Sequence, residues 1–270
     1  MLLELFLHRT RQPVPVESGA RTVQIISGQG VPLRAWLLTP PEPNGNAVLV
    51  LHGSATNRAS QLGLAKMFLG HGYTVLAPDS RAHGESGGDL ATYGLFEACD
   101  VHRWVSWLID DQHPRHVFGI GESLGGAVLI ESLTVEQRFS AIVADSAFSS
   151  FERIARDRVA ERLPLPPEVG RLLAAPPVWA GFLYARLRYG LDFRAASAEA
   201  AITRSATPVL LIHGLNDTQT PPEHSRILAS RNPRNAVLWL VPGAGHTGAF
   251  GTAPREFEAR VLGFFEAHQN

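Results

Sequence analysis

The chain has almost no cysteine. Among its 270 residues only Cys99 carries a thiol, so no intrachain disulfide can form. That composition fits a reducing compartment. Cys99 has apolar neighbours in a helical pattern, which points to a buried, inert thiol. Neither sign of charge is in excess: 24 Lys and Arg stand against 25 Asp and Glu, a formal net charge of −1. With no basic run either, a groove for nucleic acid is not expected. Long apolar runs are missing, since none reaches the ~18 residues that mark a membrane-spanning helix. The apolar start at Met1–Leu7 is interrupted by Glu4, and no small-residue cleavage site follows it, so it reads poorly as a signal peptide. The expectation is a soluble, cytoplasmic protein without a transmembrane segment. There is no H-E-x-x-H and the histidines do not cluster, which leaves metal-assisted hydrolysis without ligands. Internal repeats and low-complexity tracts are absent. Oligomeric state is not encoded in any feature of the chain.

What is present is an apolar content of 45%, enough for a sizeable core. Strand and helix signals alternate along most of the chain. Residues 22–27 and 33–39 read as two opening strands joined by Gly28-Gln29-Gly30. Further strands are expected at 47–51, 73–77, 117–120, 141–144, 209–212 and 237–241. Helices are expected at 58–70, 95–109, after residue 123, and at 254–268. Alternation of this kind specifies a parallel sheet with helices on both faces. One stretch breaks the rhythm. Residues 151–202 hold no convincing strand, are rich in Arg, Ala and Pro, and include Trp179, Phe182, Tyr184 and Tyr189. The whole chain reads as one domain with 151–202 as a small helical cap, because insertions after strand C-termini sit where open α/β sheets bind ligands. An ordinary pair of surface helices is the alternative.

The most informative stretch is Gly121-Glu122-Ser123-Leu124-Gly125, a G-x-S-x-G pentapeptide between a short apolar strand and an apolar helix. A serine on so tight a strand-to-helix turn is held in a strained backbone that exposes its hydroxyl. Ser123 is the candidate nucleophile. A serine needs a base, usually histidine, and the histidine needs a carboxylate to fix its tautomer. Both follow in the chain. Asp217 lies in His213-Gly214-Leu215-Asn216-Asp217, just past the strand at 209–212. His246 lies in Pro242-Gly243-Ala244-Gly245-His246, past the strand at 237–241. Of the 11 histidines only His246 combines a glycine-rich loop with this order. Asp145 is a competing acid, and Asp217 as a mere turn-former is the plainer alternative. His213 is read as structural. Acyl transfer also needs two backbone N–H groups aimed at the developing oxyanion. Leu124, directly after the nucleophile, is one candidate, and Ser54 in Leu51-His52-Gly53-Ser54 is the other. His52 is read as a structural hydrogen-bonder. Gly119-Ile120-Gly121 begins like a dinucleotide fingerprint, but Leu124 stands where the third glycine belongs.

Taken together and in order, these pieces resemble the α/β-hydrolase superfamily from about Leu33 to the C-terminus. The matching segments are His52-Gly53, Asp79-Ser80-Arg81-Ala82-His83-Gly84-Glu85-Ser86, Gly121–Gly126, His213–Asp217 and Gly245-His246. Within it the chain looks most like the branch of bacterial esterases and serine-aminopeptidase-like hydrolases. That branch usually has D-x-R-G-H-G-x-S, and Ala82 replaces its first glycine here. Asp79 and Arg81 are read as loop ties. The resemblance implies an α/β-hydrolase fold with a mostly parallel sheet of about eight strands and a helical cap. It also implies a serine carboxylesterase that uses Ser123, His246 and Asp217, takes a small-molecule acyl ester, with thioesters as a further class, and needs no cofactor. An amide-cleaving peptidase with the same residues is the runner-up, for which Glu152, Asp157 and Glu161 would be candidates to hold a peptide N-terminus. A binding module on the same fold is the non-enzymatic alternative. Aromatic and apolar residues in 151–202 point to a mostly apolar substrate.

Overall fold

A computed structural model of the chain describes residues 4, 7, 8 and 11–269. The apolar N-terminal start therefore lies mostly outside the described residues. Eight strands form one sheet in the order β1-β2-β4-β3-β5-β6-β7-β8. They are β1 (Ala20–Ile26), β2 (Pro32–Leu38), β3 (Ala47–Leu51), β4 (Thr74–Pro78), β5 (Val117–Glu122), β6 (Phe139–Asp145), β7 (Val209–Gly214) and β8 (Ala236–Val241). β1 and β2 pair antiparallel, as does β2 with β4, and every later pairing is parallel. This is the α/β-hydrolase fold that the sequence implied. The central strands read as unbroken apolar runs because both of their faces are covered. Thus Ala47, Leu49 and Leu51 of β3 face one core and Val48 and Val50 face the other.

Among the described residues the helices of 7 or more residues are α1 (Leu62–Gly70), α2 (Glu97–Gln112), α3 (Leu124–Ser132), α4 (Phe151–Ala160), α5 (Pro167–Tyr189), α6 (Ala198–Arg204), α7 (Glu223–Arg231) and α8 (Pro254–Glu266). Residues of α1 and α8 join one core, and those of α2, α3, α6 and α7 join the other. No helix among the described residues is long and apolar enough to cross a membrane.

Three readings change. The helix expected at 58–70 opens with a 3-10 turn at Arg58–Gln61, where the Asn57 side chain caps the Ala59 amide. Cys99 is exposed, not buried. In α2 the buried positions are 97, 98, 100, 101, 104, 105 and 108, and residue 99 falls on the outer side of that stripe. Within 151–202, the start of α6 packs on α3 and α7 with the body of the domain. α4, α5 and the turn at Phe193–Ala195 pack mainly on one another, while Phe151, Ile154, Val178, Phe182 and Phe193 join the core that α2, α3, α6 and α7 cover. α5 is continuous through Pro176 and Pro177. Both prolines are exposed, so water can reach the carbonyls left without an N–H partner one turn earlier.

Candidate active site

β5 ends at Glu122 and α3 begins at Leu124, so the chain reverses at a single residue. Ser123 there has φ 52° and ψ −113°, a backbone conformation that a non-glycine residue adopts only when its surroundings enforce it. The Ser123 N–H donates to the Asp145 carbonyl at 2.8 Å, and the Ser123 carbonyl accepts from Ala127 N–H at 3.0 Å. The flanking glycines are required by close approach. A Cβ on Gly121 would lie 2.4 Å from the Gly125 carbonyl carbon, and one on Gly125 would lie 2.5 Å from the Leu51 oxygen. The pentapeptide therefore packs α3 directly onto β3 and β5 and leaves the Ser123 side chain at the C-terminal edge of the sheet.

The structure brings Ser123, His246 and Asp217 together. His246 Nε2 lies 2.9 Å from Ser123 Oγ, and His246 Nδ1 lies 2.7 Å from Asp217 Oδ2. A carboxylate only accepts, so Nδ1 holds the proton and Nε2 turns its lone pair to the hydroxyl. The Asp217 carboxylate is filled on both oxygens. Oδ1 accepts from the Gln219 amide at 2.9 Å and the Thr220 amide at 2.8 Å. Burial raises the Asp217 carboxyl, but hydrogen bonds from His213 and His246 and the Thr220 amide outweigh it and hold the group well below the usual carboxylate range.

His213 does more than the sequence reading assigned to it. Its Nε2 lies 3.2 Å from Asp217 Oδ2 and 2.7 Å from the Thr220 carbonyl, and its Nδ1 lies 2.6 Å from Ser225 Oγ. Nε2–H is thus shared between two acceptors, one of them the same oxygen that holds His246. Ser146 was also missed. Its hydroxyl accepts from the Thr247 amide at 3.0 Å and fixes the loop that carries His246. The only sequence signal for either residue is its place at the end of a strand.

Asp145, the competing acid, has no hydrogen bond to His246. Its Oδ1 accepts from the Ser146 hydroxyl at 3.0 Å and its Oδ2 is buried without a partner. Burial, reinforced by Glu122 beside it, pushes this carboxyl up to about 8. Between about pH 4 and pH 8 the folded protein then holds a proton that the unfolded chain has released, so the stabilising contribution is full below that window and is lost as pH rises through it. Asp145→Asn removes this penalty. The variant is expected to melt several degrees above the parent near pH 8 and close to it near pH 4. Melting curves with the same gap at both pH values would contradict this assignment.

Ser54 and Leu124 border the same cavity as Ser123 and His246. Among the described residues neither backbone N–H has an acceptor within the protein. His52 accepts from the Ser80 amide at 3.0 Å through Nε2 and turns Nδ1 to the Gly53 carbonyl at 2.7 Å. Burial pushes its imidazole down to about 3, with His83 nearby adding to the shift, so it stays neutral and structural. Asp79 accepts from the Arg58 and Glu85 amides, and the Arg58 guanidinium pairs with the same carboxylate. Arg81 pairs with Asp100 at 2.8 Å. Both tie the loop, as read. Ala82, where the related motif has glycine, takes φ 59° and keeps the turn with an N–H bond to the Gly87 carbonyl at 2.9 Å.

The cavity holds about 1120 Å³. Its roof is α4 and α5, through Phe151, Ile154, Val159, Val178 and Phe182, and Tyr93 and Phe148 reach it from the body. Tyr93 stacks on Phe151 with ring centroids 3.9 Å apart. Of the aromatics singled out from sequence, Phe182 and Tyr184 line the cavity. Trp179 is exposed and donates its indole N–H to Glu152 at 2.9 Å, and Tyr189 donates to Glu4 at 3.0 Å. Of the carboxylates considered for a peptide N-terminus, Glu152 pairs with Arg156, and Asp157 with Arg171 and His224. Only Glu161 borders the cavity.

The profile of the Alpha/beta hydrolase family matches residues 48–260. An uncharacterized protein of Mycobacterium tuberculosis is 31% identical over 259 residues, covering 93% of this chain and 80% of that one. A monoacylglycerol lipase of Mycolicibacterium smegmatis is 27% identical over 260 residues, covering 85% and 91%. The solved esterase Pf2001 of Pyrococcus furiosus superposes with a TM-score of 0.78 at 24% identity, over 97% of this chain and 100% of that one. At that identity the superposition speaks for the fold alone.

Proposed function

The chain belongs to the Alpha/beta hydrolase family, and on that footing we propose that it is a serine hydrolase that cleaves carboxylic esters with an apolar acyl group. The observation that carries this reading is the pair of contacts joining Ser123, His246 and Asp217 at 2.9 and 2.7 Å. In this reading Ser123 Oγ attacks the acyl carbon while His246 Nε2 takes its proton. Asp217 orients the imidazole and stabilises its cationic form. The Ser54 and Leu124 amides receive the oxyanion, and each such donor contributes on the order of 10²-fold in rate. His246 then protonates the leaving alkoxide, and the alcohol departs from a Ser123 acyl ester. Water, deprotonated by the same Nε2, attacks that ester and releases the acid. The proton returns to Ser123 Oγ, so no metal or organic cofactor enters the balance.

The helices α4 and α5 serve as a cap, and the acyl chain lies beneath them among Phe151, Ile154 and Phe182. Hydrolysis of esters is supported by the relative named a monoacylglycerol lipase. A rate series over p-nitrophenyl esters of increasing acyl length tests the reading. kcat/KM is expected to rise with chain length up to the size of the cavity and then fall. A flat series would remove the acyl-pocket assignment, and turnover of aminoacyl amides without ester turnover would favour a peptidase.

A further inference from the structure

A second serine–histidine–carboxylate chain lies outside the reacting array. Ser149 N and Oγ each lie 3.0 Å from His224 Nδ1, and His224 Nε2 lies 2.9 Å from Asp157 Oδ2. All three residues are buried, Ser149 completely, so no substrate reaches that hydroxyl. It is not a second reacting centre. The three come from different places. Ser149 lies between β6 and α4, His224 in the first turn of α7, and Asp157 on α4. The Ser149 amide only donates, so His224 Nδ1 accepts and the proton sits on Nε2, which donates to Asp157. Asp157 also pairs with Arg171 of α5. One carboxylate therefore ties both cap helices to the body, and His224 is its anchor on the body side. Along α4, Asp157 is flanked by Ile154, Ala155, Arg158 and Val159, all of which line the cavity.

The geometry points to His224 as a positioning residue that seats α4 over the cavity and thereby sets the length of acyl group accepted, an inference that rests on the ester-hydrolase reading. Without the imidazole, the buried Asp157 carboxylate loses a donor and gains stability by shifting toward water. α4 carries that carboxylate, so Ile154 and Val159 shift with it. Ser123, His246 and Asp217 make no hydrogen bond to α4. A short acyl group, held at Ser123 itself, does not register the shift, whereas a long one meets the displaced roof.

The test uses the whole chain, p-nitrophenyl esters from acetyl to dodecanoyl, and a fluorophosphonate titration that counts competent sites in each variant. His224→Phe is expected to raise KM for the longest ester that the parent hydrolyses well by about tenfold, while kcat/KM for the acetyl ester per titrated site stays within about twofold. His224→Gln keeps an N–H donor toward Asp157 and is expected to recover most of the loss. If His224→Phe does not accumulate as folded protein, Asp157→Ala carries the same expectation from the α4 side. An unchanged chain-length profile would overturn the inference, and so would an equal loss at every chain length. A parent protein with no ester turnover would instead defeat the functional reading, and this inference with it.

Discussion

Replacing Ser123 by alanine is expected to lower kcat for p-nitrophenyl esters by on the order of 10⁴-fold or more, with an unchanged cooperative melt. The size of the effect follows from the geometry. Ser54 and Ser60 also border the cavity, but Ser123 is the hydroxyl that His246 Nε2 contacts, at 2.9 Å. Among the described residues no other hydroxyl is hydrogen-bonded to the His246 ring. Alanine keeps the Cβ and the same φ of 52°, so the turn and its packing are not relieved or further strained. Steady-state rates together with a thermal melt check this. A variant that retains activity within about tenfold would place the attacking group elsewhere.

Asp217→Asn is expected to cost on the order of 10⁴-fold in kcat, and Asp145→Asn is expected to cost little. The asymmetry comes from the donors around the two carboxyls. Asp217 Oδ1 is taken by two backbone N–H groups, so an asparagine there must keep its oxygen on that side. Its NH₂ then faces His246 Nδ1 and His213 Nε2, where a carboxylate oxygen accepted before. His246 answers by accepting at Nδ1 and moving its proton to Nε2, and the base at Ser123 is lost. Asp145 has no such contact to His246, and its effect is on stability. Parallel rate measurements on the two variants check the pair. A small loss in Asp217→Asn with a large one in Asp145→Asn would exchange their roles.

Much of this was legible in the chain. Ser123 stood out because a serine between Gly121 and Gly125 at a strand-to-helix junction has few backbone solutions. Asp217 and His246 stood out because each follows an apolar strand in a turn-rich loop, in the chain order of the α/β-hydrolases that the sequence resembles. The eight strands were legible as apolar runs, with ends that differ by one or two residues. Contacts that depend on where a side chain reaches after folding were not legible. His213 was read as structural from its place beside Gly214, yet its Nε2 reaches back across the turn to Asp217. Cys99 has apolar sequence neighbours but sits out of phase with the buried stripe of α2. Helix α7 has a buried stripe of only His224, Ser225 and Leu228, so it carries almost no apolar period. Tyr93 and Phe148 reach the cavity beneath α4 and α5 from segments over 50 residues apart in the chain, a coincidence of topology rather than of pattern.

The central claim is that Ser123 is the nucleophile activated by His246. Its most direct test is the intact mass of the protein after exposure to a fluorophosphonate, in the parent and in Ser123→Ala side by side. The account predicts one added phosphonyl group on the parent, mapped to the peptide containing Ser123, and none on the variant. Equal labelling of both proteins, or no labelling of a folded parent, would contradict it.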